Sequence, residues 1–154
     1  RGVIQLKNGP RSINESVTQL SKKETQAGFD SVQRYKDFAS RMQQVKEKLS
    51  EQLKQYNGGT IVGYGASVGV TTLNYYWELD KHLSMLLDDN PKRHGLYSPG
   101  HHLPVLSSDT LYEQDINALL ILAWRYANPI LEKHKKYLDS ERPAIIPLPN
   151  VTVK

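Results

Sequence analysis

The stretch IVGYGASVGVTTL, Ile61 to Leu73, decides how this chain is read. A short apolar run that ends in glycine and passes directly into a helical pattern is the strand-turn-helix of an α/β unit. Such a turn points backbone N–H groups at whatever sits above the sheet, and the helix dipole favours a negative group there. Gly63, Gly65 and Gly69 occupy the turn. The dinucleotide fingerprint wants its third glycine three positions after the second, but Val68 stands there and Gly69 follows one residue later. No Lys-Ser/Thr pair follows, which argues against a P-loop. Asp88 and Asp89 lie at about the 20-residue separation at which a dinucleotide-binding unit places an acid on a ribose hydroxyl.

Working outward, short apolar runs alternate with helical stretches, the pattern of a parallel sheet with crossover helices. TIVGYG is the first buried strand, VTTLNYYWEL the helix after it and LSMLLDD the second strand. NPKRHGLYSPGHHLPV is a long Pro- and Gly-rich loop with a short strand at its end, and DTLYEQ a short helix. ALLILAW is a further buried strand, ANPILEKHKKYLDS one helix with Pro129 near its first turn, and PAIIPLP with VTV closes the sheet. Residues 58–154 are thus expected to form a Rossmann-like α/β domain with a mostly parallel sheet and flanking helices.

Upstream, residues 9–57 predict a helical hairpin. Asn14 caps the first helix, Gly28 stops it, Asp30 or Ser31 caps the second, and YNGG ends that one. Phe38, Met42, Val45, Leu49 and Leu53 fall on one face of the second helix. GVIQLK, within residues 1–8, alternates like a short strand whose partners would lie upstream, in a domain that has been cut away.

The length of 154 residues fits one modest core, and 38% hydrophobic with 23% charged residues is an ordinary globular balance. Twenty Lys and Arg against sixteen Asp and Glu give a net charge of +4, dispersed along the chain, so nucleic acid is not an expected partner. The absence of cysteine excludes disulfides, thiolate nucleophiles and Cys-based zinc sites. With no apolar run near the ~20 residues of a membrane span, the chain reads as soluble and cytoplasmic, and as a piece of something longer.

GYGASVGVTTLNYY, LLDDNPKRHGLYSPGHHLPV and ALLILAW together resemble the C-terminal domain of S-adenosylmethionine-dependent sugar C-methyltransferases, which act on nucleotide-linked keto-deoxysugars. ESVTQLSKKETQAGFDSVQRYKDFASRM is similar to the helical segment before that domain. The resemblance implies a chain running from a zinc-binding domain through an S-adenosylmethionine-binding domain into this one, which helps to hold the nucleotide-linked sugar. It implies a reaction in which a base removes a proton beside the sugar ketone and the enolate carbon attacks the donor methyl group. Donor pocket, base and zinc ligands belong to the preceding domains, so this stretch alone carries no catalytic residue, binds no cofactor itself, has the upstream donor domain as its partner and is expected to be inactive.

Carried over residue by residue, Gly63, Tyr64, Gly65 and Ala66 match the GYGA turn. Asp88, Asn90 and Pro91 match the second-strand motif; Gly95, Tyr97, Pro99, Gly100, Pro104 and Val105 match the long loop; and Trp124 matches an aromatic residue after a later strand. Members usually read something like GYGAPAKGNT, with Lys where this chain has Gly69 and Gly where it has Val70, so a basic side chain near the phosphate is missing here; Lys92, Arg93 or Arg125 could replace it. The candidate binding residues are therefore Gly63, Tyr64, Gly65, Ala66, Ser67, Gly69, Asp88, Asp89, Asn90, Trp124 and Arg125.

Other patterns carry less. His101 and His102 are adjacent and point apart, which suits a loop pair better than a metal site needing three or four convergent ligands. Lys133 to Lys136, KHKK, sits near a helix C-terminus, where cations are favoured. Trp124 and Tyr126 either stack on a base or cover the sheet edge. Ser67, with His82 and Asp88 elsewhere in the chain, invites a hydrolase reading. Two alternatives stay open at this level: an NAD(P)-binding oxidoreductase domain, and a non-catalytic interaction module whose hairpin forms a homodimer or docks on another domain.

Overall fold

A computed structural model of the chain describes residues 2–140 and 142–154. The chain divides into two compact units between Met42 and Gln43.

In the first unit, helix α1 (Glu15–Gln26) is capped by Asn14, whose side chain accepts from the Ser16 amide. Gly28, at φ +76°, turns the chain as only glycine does at no steric cost. Ser31 then accepts from the Gln33 amide at the start of α2 (Val32–Lys54). No residue of α1 is buried, and Phe38 of α2 is exposed, whereas Val45, Leu49 and Leu53 are buried. The apolar face expected to run from Phe38 to Leu53 is therefore covered only over its second half, where α2 belongs to the sheet unit. GVIQLK does not form the expected strand: Gly2 to Leu6 carry no secondary structure and are exposed. A strand is held by ladder bonds to a neighbour, and none is described for this segment.

The second unit is built on six strands: β1 (Ile61–Tyr64), β2 (Met85–Asp88), β3 (Val105–Ser107), β4 (Ala118–Ile121), β5 (Ala144–Ile146) and β6 (Thr152–Val153). Their order across the sheet is β3-β2-β1-β4-β5-β6, the order of a doubly wound dinucleotide-binding sheet. The first five are parallel, and β6 returns antiparallel to β5. The expected mixed α/β, mostly parallel architecture is what the chain adopts.

Alternation along the strands sorts the core into two layers. Val62, Tyr64, Leu87, Leu119, Ile121 and Ala144 pack with Leu111, Ala127, Ile130 and Tyr137, from α4 (Thr110–Glu113), α5 (Ala127–Lys133) and α6 (Lys135–Leu138). Ile61, Gly63, Leu86 and Leu120 face the other way, towards the end of α2 and α3 (Val68–Trp77), which Lys46 and Glu78 join by an ion pair at 2.5 Å. The single helix expected over ANPILEKHKKYLDS is broken at His134, whose φ of −106° and ψ of 28° leave the helical region. The side chain of that residue is drawn into a hydrogen-bonded chain described below. No helix among the described residues is long and apolar enough to cross a membrane.

Candidate functional site

The connections from β1 and β4 leave the sheet in opposite directions, and crevices at such switch points, outside the carboxyl ends of the strands, are where doubly wound sheets take ligands. Gly65 ends β1 there, at φ +112°. A Cβ on it would lie 3.0 Å from the Cβ of Ala123 and 3.1 Å from its backbone N, so glycine is required by both conformation and space. Gly63 is required by packing, because a Cβ would meet Leu86 and Leu122 at 2.8 Å. Gly69 is not: its surroundings are open apart from the Ser67 hydroxyl at 3.9 Å.

The turn is held from below by Asp88. Its Oδ2 accepts from the Ala66 amide and from the Arg93 guanidinium, both at 2.8 Å, and its Oδ1 accepts from the Asn90 amide at 2.9 Å. Burial alone would raise the carboxyl pKa, but these amides and the guanidinium outweigh it and hold the group below its ordinary value. The Gly65 amide donates to the Leu87 carbonyl at 2.7 Å. Two of the amides expected to face an anion are thus spent on the neighbouring strand, leaving those of Ser67, Val68 and Gly69 at the start of α3. Both oxygens of Asp88 are likewise engaged, so it serves as a clamp between the β1 and β2 ends. Asn90 caps the following turn, accepting from the Lys92 amide at 3.1 Å.

Beside the turn lies a cleft of about 100 Å³ between α3 and the loop that follows β2. Ser67, Val70, Thr71 and Asn74 line it from α3, at the i, i+3, i+4, i+7 spacing of one helix face, and Arg93, Leu96, Tyr97 and Ser98 line it from the loop. The loop is braced by the Tyr97–Pro104 bridge and by Ser98, whose backbone amide donates to the Leu103 carbonyl at 2.8 Å and whose hydroxyl accepts from the Leu103 amide at 3.0 Å. Gly100, at φ +76°, packs where a side chain would strike the Tyr75 hydroxyl.

Asp89, one residue beyond Asp88, points to the opposite face. Its Oδ1 accepts from the Tyr64 and Ser108 hydroxyls, each at 2.7 Å, and from Lys133 at 2.5 Å. Burial opposes ionisation there, yet the bonds from Lys133, Ser108 and Tyr64 prevail and bring the pKa down to about 2. Tyr64 is itself buried, and burial together with its bond to Asp89 pushes its hydroxyl well above the ordinary tyrosine value. His134 lies 3.0 Å from Tyr64 through Nε2 and 3.0 Å from Tyr112 through Nδ1. Since the Tyr64 hydroxyl donates to Asp89, a neutral His134 protonated at Nε2 completes the chain by accepting from Tyr112. Burial, with the Lys133 charge adding to it, lowers the His134 pKa and keeps it neutral.

The candidate residues therefore separate into three groups. Gly65, Ala66, Ser67 and Asp88 meet at the turn with Asn90 beside them; Tyr64 and Asp89 join a polar chain behind the sheet; and Trp124 and Arg125 stand after β4, where the Arg125 guanidinium lies 4.8 Å from the Trp124 ring centre. Ala123, whose amide donates to the Tyr64 carbonyl at 2.9 Å, ties that last group to the glycine turn. Sequence reading missed Asn74, Ser98, Ser108, Tyr112 and His134. Asn74 was discernible as a polar residue at i+4 from Val70 on the inward face of α3; the others are joined only through residues far away in the chain.

A family model described as "C-methyltransferase C-terminal domain" matches residues 1–149. The chain is also similar to the C-methyltransferase NovU of Streptomyces niveus, 25% identical over 144 residues that make up 92% of this chain and 34% of that protein. This chain thus spans about a third of the length of the curated relative it matches.

Proposed function

We propose a function from a fixed premise: this chain belongs to the C-methyltransferase C-terminal domain family. It acts as the part that holds a nucleotide-linked sugar while methyl transfer from S-adenosylmethionine is carried out by a larger protein of which this domain forms one part. The observation that carries this reading is the switch-point crevice. There the first-turn amides of α3, the Arg93 guanidinium and the Trp124–Arg125 pair all stand at the carboxyl edge of the sheet. Phosphate oxygens suit the amides and Arg93, and Trp124 offers a ring face for stacking.

At the turn both carboxylate oxygens of Asp88 are hydrogen-bonded, and Asp89 and His134 lie on the other face. On this reading the domain binds, and proton removal, donor binding and any zinc belong to the other part of the protein. Val68, Leu96, Tyr97 and Tyr126, in the loops after β1, β2 and β4, are exposed apolar side chains around the crevice, and they suit contact with the donor-binding domain across the bound sugar.

The NAD(P) alternative is weaker, because the acid that would take the ribose is occupied and the third glycine is displaced. The test is thermal unfolding with ligand at millimolar concentration. A deoxythymidine-diphosphate sugar, or the nucleotide alone, is expected to raise Tm by mass action, with NAD(H) giving a smaller shift. Folded protein that responds to no nucleotide refutes the proposal, and preferential protection by NAD(H) selects the alternative.

A further inference from the structure

We infer that Asn74 reads an uncharged donor–acceptor group of the ligand, the amide edge of a base or a pair of sugar hydroxyls, at the inner end of the cleft beside α3. The inference rests on the reading that this cleft takes part of a nucleotide-linked sugar, and it adds which protein group recognises which chemistry.

Asn74 is 2% exposed, and its Oδ1 has no hydrogen-bond partner. A buried carboxamide left unpaired is unfavourable, and such groups in folded proteins are as a rule satisfied by something. Asn74 sits on the same α3 face as Ser67, Val70 and Thr71, so its side chain belongs to the cleft wall. The surrounding walls, Val70, Leu86 and Val105, are apolar and offer it nothing. Across the cleft, Ser98 is buried, and because its oxygen already accepts from the Leu103 amide, its hydroxyl proton remains available. Asn74 contributes both an acceptor and donors, and Ser98 a donor. Arg93, the charged member of the lining, is bound to Asp88 at the turn, whereas Asn74 and Ser98 are neutral polar groups set between apolar faces.

Spacing agrees with this. Asn74 is six residues beyond Val68, about 9 Å along the helix at 1.5 Å per residue, so one nucleoside or sugar unit separates the carboxamide from phosphates held at the first turn. At about 100 Å³ the cleft is well below the several hundred Å³ of a complete small-molecule site, so a single ring enters and the rest of the ligand lies outside.

The test uses Asn74→Leu, which keeps the branched shape, with somewhat more bulk, and removes the amide. Replacing an unpaired buried amide by an apolar group leaves Tm equal or higher, so weaker binding cannot be ascribed to unfolding. Asn74→Ala is the second variant should leucine not pack. Thymidine monophosphate, its N3-methyl derivative and glucose 1-phosphate are titrated calorimetrically. The expected result is a loss of about tenfold in affinity for the probe whose neutral group reaches Asn74. If thymidine monophosphate loses affinity, and the N3-methyl derivative binds the wild type equally poorly, the group is a base edge. If glucose 1-phosphate alone is affected, it is a sugar hydroxyl pair. Unchanged affinity for both in the variants overturns the inference, with Asn74 holding water only, while the nucleotide-sugar reading stands. Failure of the folded wild type to bind any of the probes overturns both.

Discussion

Replacing Asp88 by alanine removes the acceptor for three hydrogen bonds at once: the Ala66 amide at 2.8 Å, the Asn90 amide at 2.9 Å and the Arg93 guanidinium at 2.8 Å. Bonds to a charged partner contribute roughly 1.5–3 kcal/mol each, so the simple sum is about 4.5–9 kcal/mol. Two effects reduce it. Arg93 is partly exposed and recovers water, and the turn lies at the sheet edge, where water can replace the carboxylate. A loss of about 3–4 kcal/mol is expected, which for a domain of this size is a fall of roughly 6–16 °C in Tm. Asp88→Asn keeps one carbonyl oxygen and is expected to lose about half as much. Urea unfolding followed by far-UV circular dichroism measures both. A loss below about 1 kcal/mol for the alanine variant would show that Asp88 does not hold the turn, and would reopen it as a ligand-binding acid. If the clamp reasoning is correct, Asp88→Asn should also bind nucleotide less well, because the α3 amides lose their fixed orientation.

Gly65→Ala meets Ala123 at 3.0 Å in a backbone conformation unfavourable to any side chain, so it is expected to destabilise by about 2–4 kcal/mol, whereas Gly69→Ala enters open space in a helical first turn and stabilises by roughly 0.5 kcal/mol. Urea midpoints separate the two. The pKa of Asp89 falls from 3.8 to about 2 on folding, so the unfolded chain takes up this proton first; the associated stability is present above pH 3.8 and is lost as pH falls towards about 2. Asp89→Asn should flatten that limb of the stability–pH curve, and an unchanged limb would exclude the Lys133–Ser108–Tyr64 cluster as its source. His134, with its pKa lowered from 6.5, gives stability that is complete above that pH and declines below it; ring proton shifts in an NMR titration should show it neutral at pH 6.5, and a half-protonated ring there would contradict the chain through Tyr64.

Local chemistry was enough to locate most elements. Asn14, Ser31 and the two glycine stops delimit the hairpin helices because caps and left-handed turns act within a few residues. The run TIVGYG, then a helix, then LSMLLDD, specifies a parallel unit because continuous apolar strands are buried on both faces. The helix after β4 could not be read in the same way. Its break at His134 is imposed by Tyr64, seventy residues earlier, and Tyr112, neither a neighbour in the chain.

The sequence by itself determined the α/β class, the glycine turn at the end of β1 and the family to which the motifs point, because all of these are written in short spacings and in hydrophobic period. Only the tertiary structure decided which acid does what. Asp88 and Asp89 are chemically alike and adjacent, but the alternation of the strand sends one beneath the glycine turn and the other behind the sheet. It also decided that Asn74 is left without a partner, a property of what the fold brings near it and not of the residue.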